Sequence, residues 1–341
     1  MRFGNDVGVD LGTAMMRVYI RGQGVILREP SVLAVERQSG RVLQTGEEAR
    51  KMLGRTPANL SALRPITGGV IADFDMAVKL LREALRRTLP FSLIKPRLVF
   101  SVPDGITLVE ERAVIQAGLQ AGARRVYLAE APLAAAMGAG LPIRDAGGRM
   151  VVNIGAGCAD AAVLSMGGIC SSLSVSAAGD AIRDAIIRYV RRKHGVLLGE
   201  AIAEEAKLQI GCVWEPREDA LYEVKGRDLL TGLPRVIPLR ETEMPEALEE
   251  TVLQLMDAIR ALLEQTPPEM VADIAQNGIL LTGGGSRLRG LEQRLMDYTH
   301  IPVLTANTPE DCVIEGMERI MDRLDSMQDG ALNIARRRQL S

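Results

Sequence analysis

Apolar and polar positions fall into two hairpin-like stretches far apart in the chain. In "VGVDLGTAMMRVYI", Val7 and Val9 precede Asp10, a glycine–threonine turn follows, and Val18, Tyr19 and Ile20 resume the apolar run. This pattern predicts a β-hairpin. In "MVVNIGAGCADAAVLS", residues 150–165, Val151 and Val152 lead through a polar residue and a glycine turn to Ala162, Val163 and Leu164. The two stretches align as apolar, apolar, Asp10 or Asn153, any residue, Gly12 or Gly155. A unit repeated about 140 residues apart implies a duplicated fold. The alternative is two unrelated buried hairpins, because glycine turns are common.

Helical periodicity fills the intervals. Residues 76–88 put Val78, Leu81 and Leu85 on one face and Arg82, Arg86 and Arg87 elsewhere. The apolar strand "RLVFSVP" ends at Pro103, a helix is expected from about Val109 to Ala121, and "VYLA" is a short strand before Glu130. A helix of small residues follows Pro132. In the second half, "GDAIRDAIIRYVRRKHG" reads as a helix capped by Asp180 and ended by Gly195, with Ile182, Ile186, Tyr189 and Val190 on one face. "GEAIAEEAKLQIG" is another helix, 221–240 a small β excursion, and Pro245 to about Gln265 a long helix. "GILLTGGGSRLRGLEQRLMDY" reads as strand, glycine loop, helix. Thr308 and Pro309 are expected to start the last helix as N-cap and first turn, and "ARRRQLS" to fray. Strand–helix–strand alternation predicts an α/β fold with covered sheets.

Composition narrows the function classes. With 47% apolar and 25% charged residues, the 341-residue chain suits about two globular domains. A net charge of −2 and 3% aromatics supply neither a basic field nor a stacking platform, so no nucleic-acid partner is expected. Cys158, Cys170, Cys212 and Cys312 form no CxxC pair, and His194 and His300 no HExxH motif. The expected compartment is reducing and cytosolic. "MRFGNDVGVD" lacks the apolar core of a secretory signal. The longest apolar run, "APLAAAMGAGLPI", falls short of the ~20 residues a membrane-spanning helix needs.

Three glycine-bearing turns follow apolar strands, at 12, 155–157 and 283–285. Backbone N–H groups in such turns can hold an anion, although most glycine turns only turn. "LTGGGSRLRG" is not a dinucleotide fingerprint, because Leu288 stands where the last glycine should be. No lysine follows a glycine, so a Walker A loop is absent. A two-domain nucleotide clamp remains.

The stretches "VDLGTA", "LREPSVLAV", "GRTPANLSALRPITGGVIADF", "EERAVIQAGLQAGARRVYLAEAPLAAAMGAGLPI", "GRDLLTGLP" and "LTGGGSRLRGL" resemble the MreB family of bacterial actin homologues, the rod-shape-determining proteins. The resemblance runs from about residue 5 to about residue 320. It implies an actin-like α/β fold, two related domains around a nucleotide cleft, each with a smaller subdomain. The implied bounds are 1–145 with a return over 308–341 for domain I, with a subdomain at about 33–66. Domain II is implied over 146–307, with a subdomain at about 181–242. The implied cofactors are ATP and Mg²⁺. The implied partners are further copies of the chain in filaments, the inner face of the cytoplasmic membrane and the cell-wall elongation machinery, and the implied location is cytoplasmic and peripheral at that membrane.

By position, Gly12, Thr13, Ala14 and Met15 resemble the family's first phosphate loop, with Asp10 facing the metal through water. The family's asparagine and threonine after the alanine are here Met15 and Met16, which implies that their polar contacts are lost. Gly155, Ala156, Gly157 and Cys158 resemble the second loop, with Asn153 in place of its aspartate, Ala156 of a glycine and Cys158 of a threonine. Ala156 narrows the freedom of that loop unless its φ is negative. Glu204, Glu205, Ala206 and Lys207 carry the family's Glu-x-x-Lys spacing toward the nucleoside; a plain helical ion pair is the other reading. Gly283, Gly284, Gly285, Ser286 and Arg287 resemble the loop over adenine and ribose, and Glu130 the glutamate that positions attacking water.

Asn153 keeps the shape of aspartate but loses its charge, and one end of its amide can only donate. Binding is therefore expected to survive and hydrolysis to be weak, at most that of a slow ATPase. In "TLPFSLIKPR", Phe91, Leu93 and Ile94 beside Lys95 and Arg97 suit insertion into an anionic bilayer, unless they pack under the domain. A sugar or acid kinase would need a substrate pocket and a chaperone ATPase an appended domain, for which the chain has no extra segment. A nucleotide-binding regulator that does not polymerise is the remaining rival.

Overall fold

The computed structural model describes residues 6–89, 94–322 and 324. The chain divides into two compact units, one running to Ile143 and resuming at Glu310, the other Arg144–Pro309.

The first unit is built on a five-stranded sheet. Its strands are β1 (Asp6–Leu11), β2 (Met15–Ile20), β3 (Gly24–Pro30), β4 (Arg97–Val102) and β5 (Arg125–Glu130), in the order β5-β4-β1-β2-β3. β1, β2 and β3 form an antiparallel meander, and β4 and β5 run parallel to β1. Val7, Val9, Leu98 and Phe100 are fully buried, so both the meander and the parallel strands carry core. Helix Phe74–Thr88, capped by Asp73, presents Ala77, Leu80, Leu81 and Ala84 to that core. Helix Leu108–Ala121 starts in a capping box between Thr107 and Glu110, which satisfies two orphan N–H groups at once.

Helices Ala131–Gly138 and Cys312–Met321 meet backbone to backbone in this unit. A Cβ at Gly138 would enter contact distance of the Cys312 carbonyl, and one at Gly316 that of Ala134. Small residues such as Ala134, Ala135 and Ala136, all fully buried, make this approach possible. A three-stranded sheet of Leu33–Glu36, Val42–Thr45 and Leu60–Leu63 adds a smaller layer.

The second unit repeats the plan. Its strands are β6 (Arg149–Ile154), β7 (Ala159–Ser165), β8 (Gly168–Val175), β9 (Ile279–Thr282) and β10 (Val303–Thr305), in the order β8-β7-β6-β9-β10. Again three strands form an antiparallel meander and two run parallel to its first strand. Met150, Val152, Ile154 and Leu281 share one core with Ile182 and Ile186 of helix Gly179–His194 and with Leu255 and Ile259 of helix Met244–Gln265. The smaller layer is a sheet of Val196–Leu198, Leu221–Asp228 and Pro234–Arg240.

Two helix starts differ from expectation. Helix Gly179–His194 has Ala178 at its N-cap, and Asp180 lies inside the first turn with its carboxylate on Arg183 at 2.7 Å. Gly195, at φ 65°, does end it. The last helix begins at Cys312, not at Thr308–Pro309. The Pro309 carbonyl accepts from Gly283 N–H at 2.7 Å, which holds that segment to a loop before the helix can begin. Of the expected membrane loop, Phe91 and Leu93 lie outside the described residues, and Ile94 is 38% exposed. No helix among the described residues is long and apolar enough to cross a membrane.

Candidate nucleotide site

In the first unit, the turn between β1 and β2 closes when Gly12 N–H donates to the Met15 carbonyl at 3.1 Å. A Cβ on Gly12 would lie 2.8 Å from that carbonyl oxygen, so close approach and not a left-handed φ demands glycine here. Ser31 ties the turn's carbonyls away: its hydroxyl donates to Gly12 O at 2.6 Å and its N–H to Ala14 O at 2.9 Å. The buried Thr13 hydroxyl accepts from Gly69 N–H at 2.9 Å. Ala14 is exposed at the tip and Met15 is half-buried. Met16 is fully buried in the unit's core, so its place is explained by packing.

Asp10, one residue before the end of β1, faces Arg17 across the ladder. Its Oδ1 accepts from the Ser101 hydroxyl at 2.7 Å, and its Oδ2 lies 3.3 Å from Arg17 Nη1. Arg17 continues to Asp311 through Nε at 3.1 Å, and Arg28 reaches the other Asp311 oxygen at 2.9 Å. Burial pushes the Asp311 carboxyl up, but hydrogen bonds and charge from Arg28 and Arg17 outweigh it and hold its pKa below the usual value. The same pairing raises the Arg28 guanidinium. Glu130 stands at the carboxyl end of β5, opposite Val102 of β4, as N-cap of helix Ala131–Gly138; it makes no capping hydrogen bond to that helix. Carboxyl ends of parallel strands are where α/β sheets place ligands.

In the second unit, Gly155 N–H donates to the Cys158 carbonyl at 2.9 Å, the closure seen at Gly12. A Cβ on Gly155 would lie 3.1 Å from that oxygen. The φ of Ala156 is outside the left-handed region, so the alanine carries no backbone strain. The carbonyls are again tied away, here by the first turn of helix Gly179–His194: Gly179 N–H reaches Gly155 O at 3.1 Å and Asp180 N–H reaches Ala156 O at 2.8 Å. Asn153 is buried, accepts from the Thr282 hydroxyl at 3.3 Å and faces the buried Asp160 across the ladder. Cys158 Sγ lies 3.7 Å from an Asp160 carboxylate oxygen.

Two further groups gather at this hairpin. Lys207 Nζ donates to Gly179 O at 3.1 Å and pairs with Glu204 at 2.7 Å, so the helical ion pair forms and brings Lys207 to the second hairpin. The third glycine loop packs on the end of β6: Gly283, at φ 77°, and Gly285 both abut Ile154, where a Cβ would collide. Ser286 donates to Gly283 O at 2.7 Å, while Gly284 and Arg287 are exposed. Glu205 is not brought in; it accepts from the Tyr222 hydroxyl at 3.0 Å, and Ala206 is core.

The residues missed from sequence are Arg17, Ser31, Ser101, Asp160, Gly179 and Thr282. Arg17 and Asp160 carry a readable signal, since each stands seven positions after Asp10 or Asn153, the register of its hairpin. Ser31, Ser101, Gly179 and Thr282 come from separate elements and carry none.

The pattern of the MreB/Mbl protein family matches residues 4–329. The chain belongs to the MreB/Mbl family. It is 44% identical over 329 residues to the cell shape-determining protein MreB of Escherichia coli (strain K12), covering 95% of each chain. It is 42% identical over 326 residues to the cell shape-determining protein Mbl of Bacillus subtilis (strain 168), covering 95% of this chain and 98% of Mbl. Among solved structures, MreB 5 of Spiroplasma citri bound to AMPPNP matches with TM-score 0.91 and 30% identity over 96% of this chain and 98% of that one. The ADP-bound MreB5 of the same organism matches with TM-score 0.90 and 31% identity over 95% and 99%. These matches make the fold of this MreB/Mbl chain actin-like.

Proposed function

We propose that this MreB/Mbl chain binds ATP and assembles with its own copies into filaments at the inner face of the cytoplasmic membrane. There it determines cell shape by organising cell-wall synthesis. The observation that carries the nucleotide reading is the doubled hairpin: each unit holds a glycine turn closed from residue i to i+3, with its carbonyls tied backward. With the carbonyls turned away, the turn is suited to present backbone N–H groups to a phosphate. The nucleotide-bound MreB5 structures and the cell shape-determining relatives support the reading. The loop over Gly283–Ser286 and the Glu204–Lys207 pair are assigned to the nucleoside, and Glu130 to the attacking water.

Asn153 supplies no charge where the family pattern has aspartate, so hydrolysis is slow. The family resemblance implies Mg²⁺ as the companion of ATP, facing Asp10 through water. The donor set does not fit it: the charge of Asp10 is already matched by Arg17 at 3.3 Å, a permanent cation that repels a second one, and Asn153 is neutral. Membrane contact is assigned to Phe91, Leu93 and Ile94, and liposome co-sedimentation of a Phe91→Ser, Leu93→Ser double variant tests it.

Titrating ATP into the chain while reading Trp214, its single tryptophan, tests nucleotide binding. Trp214 packs on Gly290, just beyond the third glycine loop. Electron microscopy with ATP and lipid tests assembly. A folded protein that shows neither saturable binding nor filaments refutes the proposal.

A further inference from the structure

Arg17 places a fixed cation beside Asp10, the carboxylate that the family resemblance turns toward the metal. Its Nη1 lies 3.3 Å from Asp10 Oδ2 and its Nε 3.1 Å from Asp311 Oδ1, and its side chain is 14% exposed. Arg28 takes the second Asp311 oxygen at 2.9 Å. Ser101, Asp10, Arg17, Asp311 and Arg28 therefore form one chain of partners in which two carboxylates are balanced by two guanidiniums. A guanidinium cannot be deprotonated in a protein, so this charge is permanent. Shielded from solvent, it is weakly screened.

A hydrated divalent ion needs acceptors for its waters and oxygen ligands in octahedral geometry. Asp10 already accepts from Ser101 on one oxygen and pairs with Arg17 on the other, so half of its four acceptor sites are filled and its charge is matched. A second cation brought against Arg17 meets like charge. The guanidinium instead supplies N–H donors beside the turn: of its five, Asp10 and Asp311 take two.

We propose that Arg17 takes the place of a divalent cation at the first hairpin, so that this chain binds nucleoside triphosphate without its metal. The proposal rests on the nucleotide reading above, and its test separates the two. ATP is titrated into the full chain by calorimetry and by Trp214 fluorescence, once with Mg²⁺ and once with excess EDTA. For the wild type, the two dissociation constants are expected to agree within about threefold, a small step on the affinity scale. Arg17→Leu is expected to weaken binding in EDTA by at least about tenfold, and Mg²⁺ to recover part of the loss. Arg17→Lys keeps the charge and is expected to fall between. Arg82→Gln removes a guanidinium of helix Phe74–Thr88 that bonds Gln120 O and lies outside this chain of partners; it controls for the loss of one positive charge and is expected to leave EDTA binding near wild type.

Wild-type binding that vanishes in EDTA and returns with Mg²⁺ overturns the proposal and leaves the nucleotide reading standing. A wild type indifferent to Mg²⁺ whose Arg17→Leu variant is equally indifferent overturns the assignment to Arg17. A folded wild type that binds no ATP in either buffer overturns both.

Discussion

Hairpin β1–β2 in one unit and hairpin β6–β7 in the other close by the same hydrogen bond, at Gly12 and at Gly155, and sit at the same place in sheets of the same strand order. Their cross-strand pairs differ. Asp10 faces Arg17, an opposed pair bonded at 3.3 Å, whereas Asn153 faces Asp160, a single buried carboxylate with a neutral amide. Each hairpin thus keeps one carboxylate of the pair, but on opposite strands. On the proposed nucleotide reading, the shared backbone would hold the anion, and the differing side chains would govern what happens to it afterwards. A duplicated fold can therefore preserve the closed turn in both copies while the cross-strand pair beside it differs.

The largest break in this comparison comes from restoring charge in the second hairpin. Asn153→Asp should raise the rate of phosphate release from ATP by on the order of 10²–10³, the scale of one preorganised electrostatic element. Affinity should change little, because the backbone donors are untouched. Malachite-green or coupled phosphate assays on both proteins decide it; equal rates would remove Asn153 as the cause of slow turnover. The same variant sets two carboxylates opposite each other, and like charges across a ladder cost about 1 kcal/mol. It should melt lower by about 2–4 °C on the scale of a unit this size. Adding Asp160→Asn should return the melting temperature to wild type.

The glycines give a smaller, graded test. A Cβ meets the carbonyl at 2.8 Å in Gly12 and at 3.1 Å in Gly155. Forcing that contact costs about 1–3 kcal/mol, and the tighter site should lie at the upper end. Gly12→Ala should therefore lower the melting temperature more than Gly155→Ala, by roughly twofold. An equal loss would mean that the two turns relax alike and that the closure is not the constraint.

What is legible in the sequence follows from locality. The apolar alternation around Gly12 and Gly155 reveals both hairpins, because strand, turn and strand lie within about twenty residues. The helices over 74–88, 108–121 and 179–194 show in their periodicity for the same reason. The candidate site is legible where it is a turn and illegible where distant elements complete it. Ser31 and Ser101 reach the first hairpin from other strands, and Thr282 reaches Asn153 from β9. The late start of the last helix has a tertiary cause as well: Pro309 is held by Gly283, and Asp311, whose carboxylate could cap the helix, is held by Arg28 and Arg17. Met16 shows the converse, a residue that resembles a lost polar contact in the family frame and is core in the fold.

The smallest effect separates the hairpins by pH. Asp311, which anchors Arg17 behind the first hairpin, has its pKa depressed despite burial, because hydrogen bonds and charge from Arg28 and Arg17 prevail. A depressed carboxylate stabilises the fold at every pH above its unfolded value, near 3.9, and that contribution disappears as pH falls through the folded value. Asp311→Asn should therefore melt below wild type by a constant margin between pH 8 and about pH 5, and the margin should close below about pH 4. Asn153 does not titrate, so Asn153→Ala should show a deficit of the same size throughout that range. A margin for Asp311→Asn that persists unchanged on acidification would show that its carboxylate stabilises by shape alone, and that the charge network behind Arg17 adds nothing to the first hairpin.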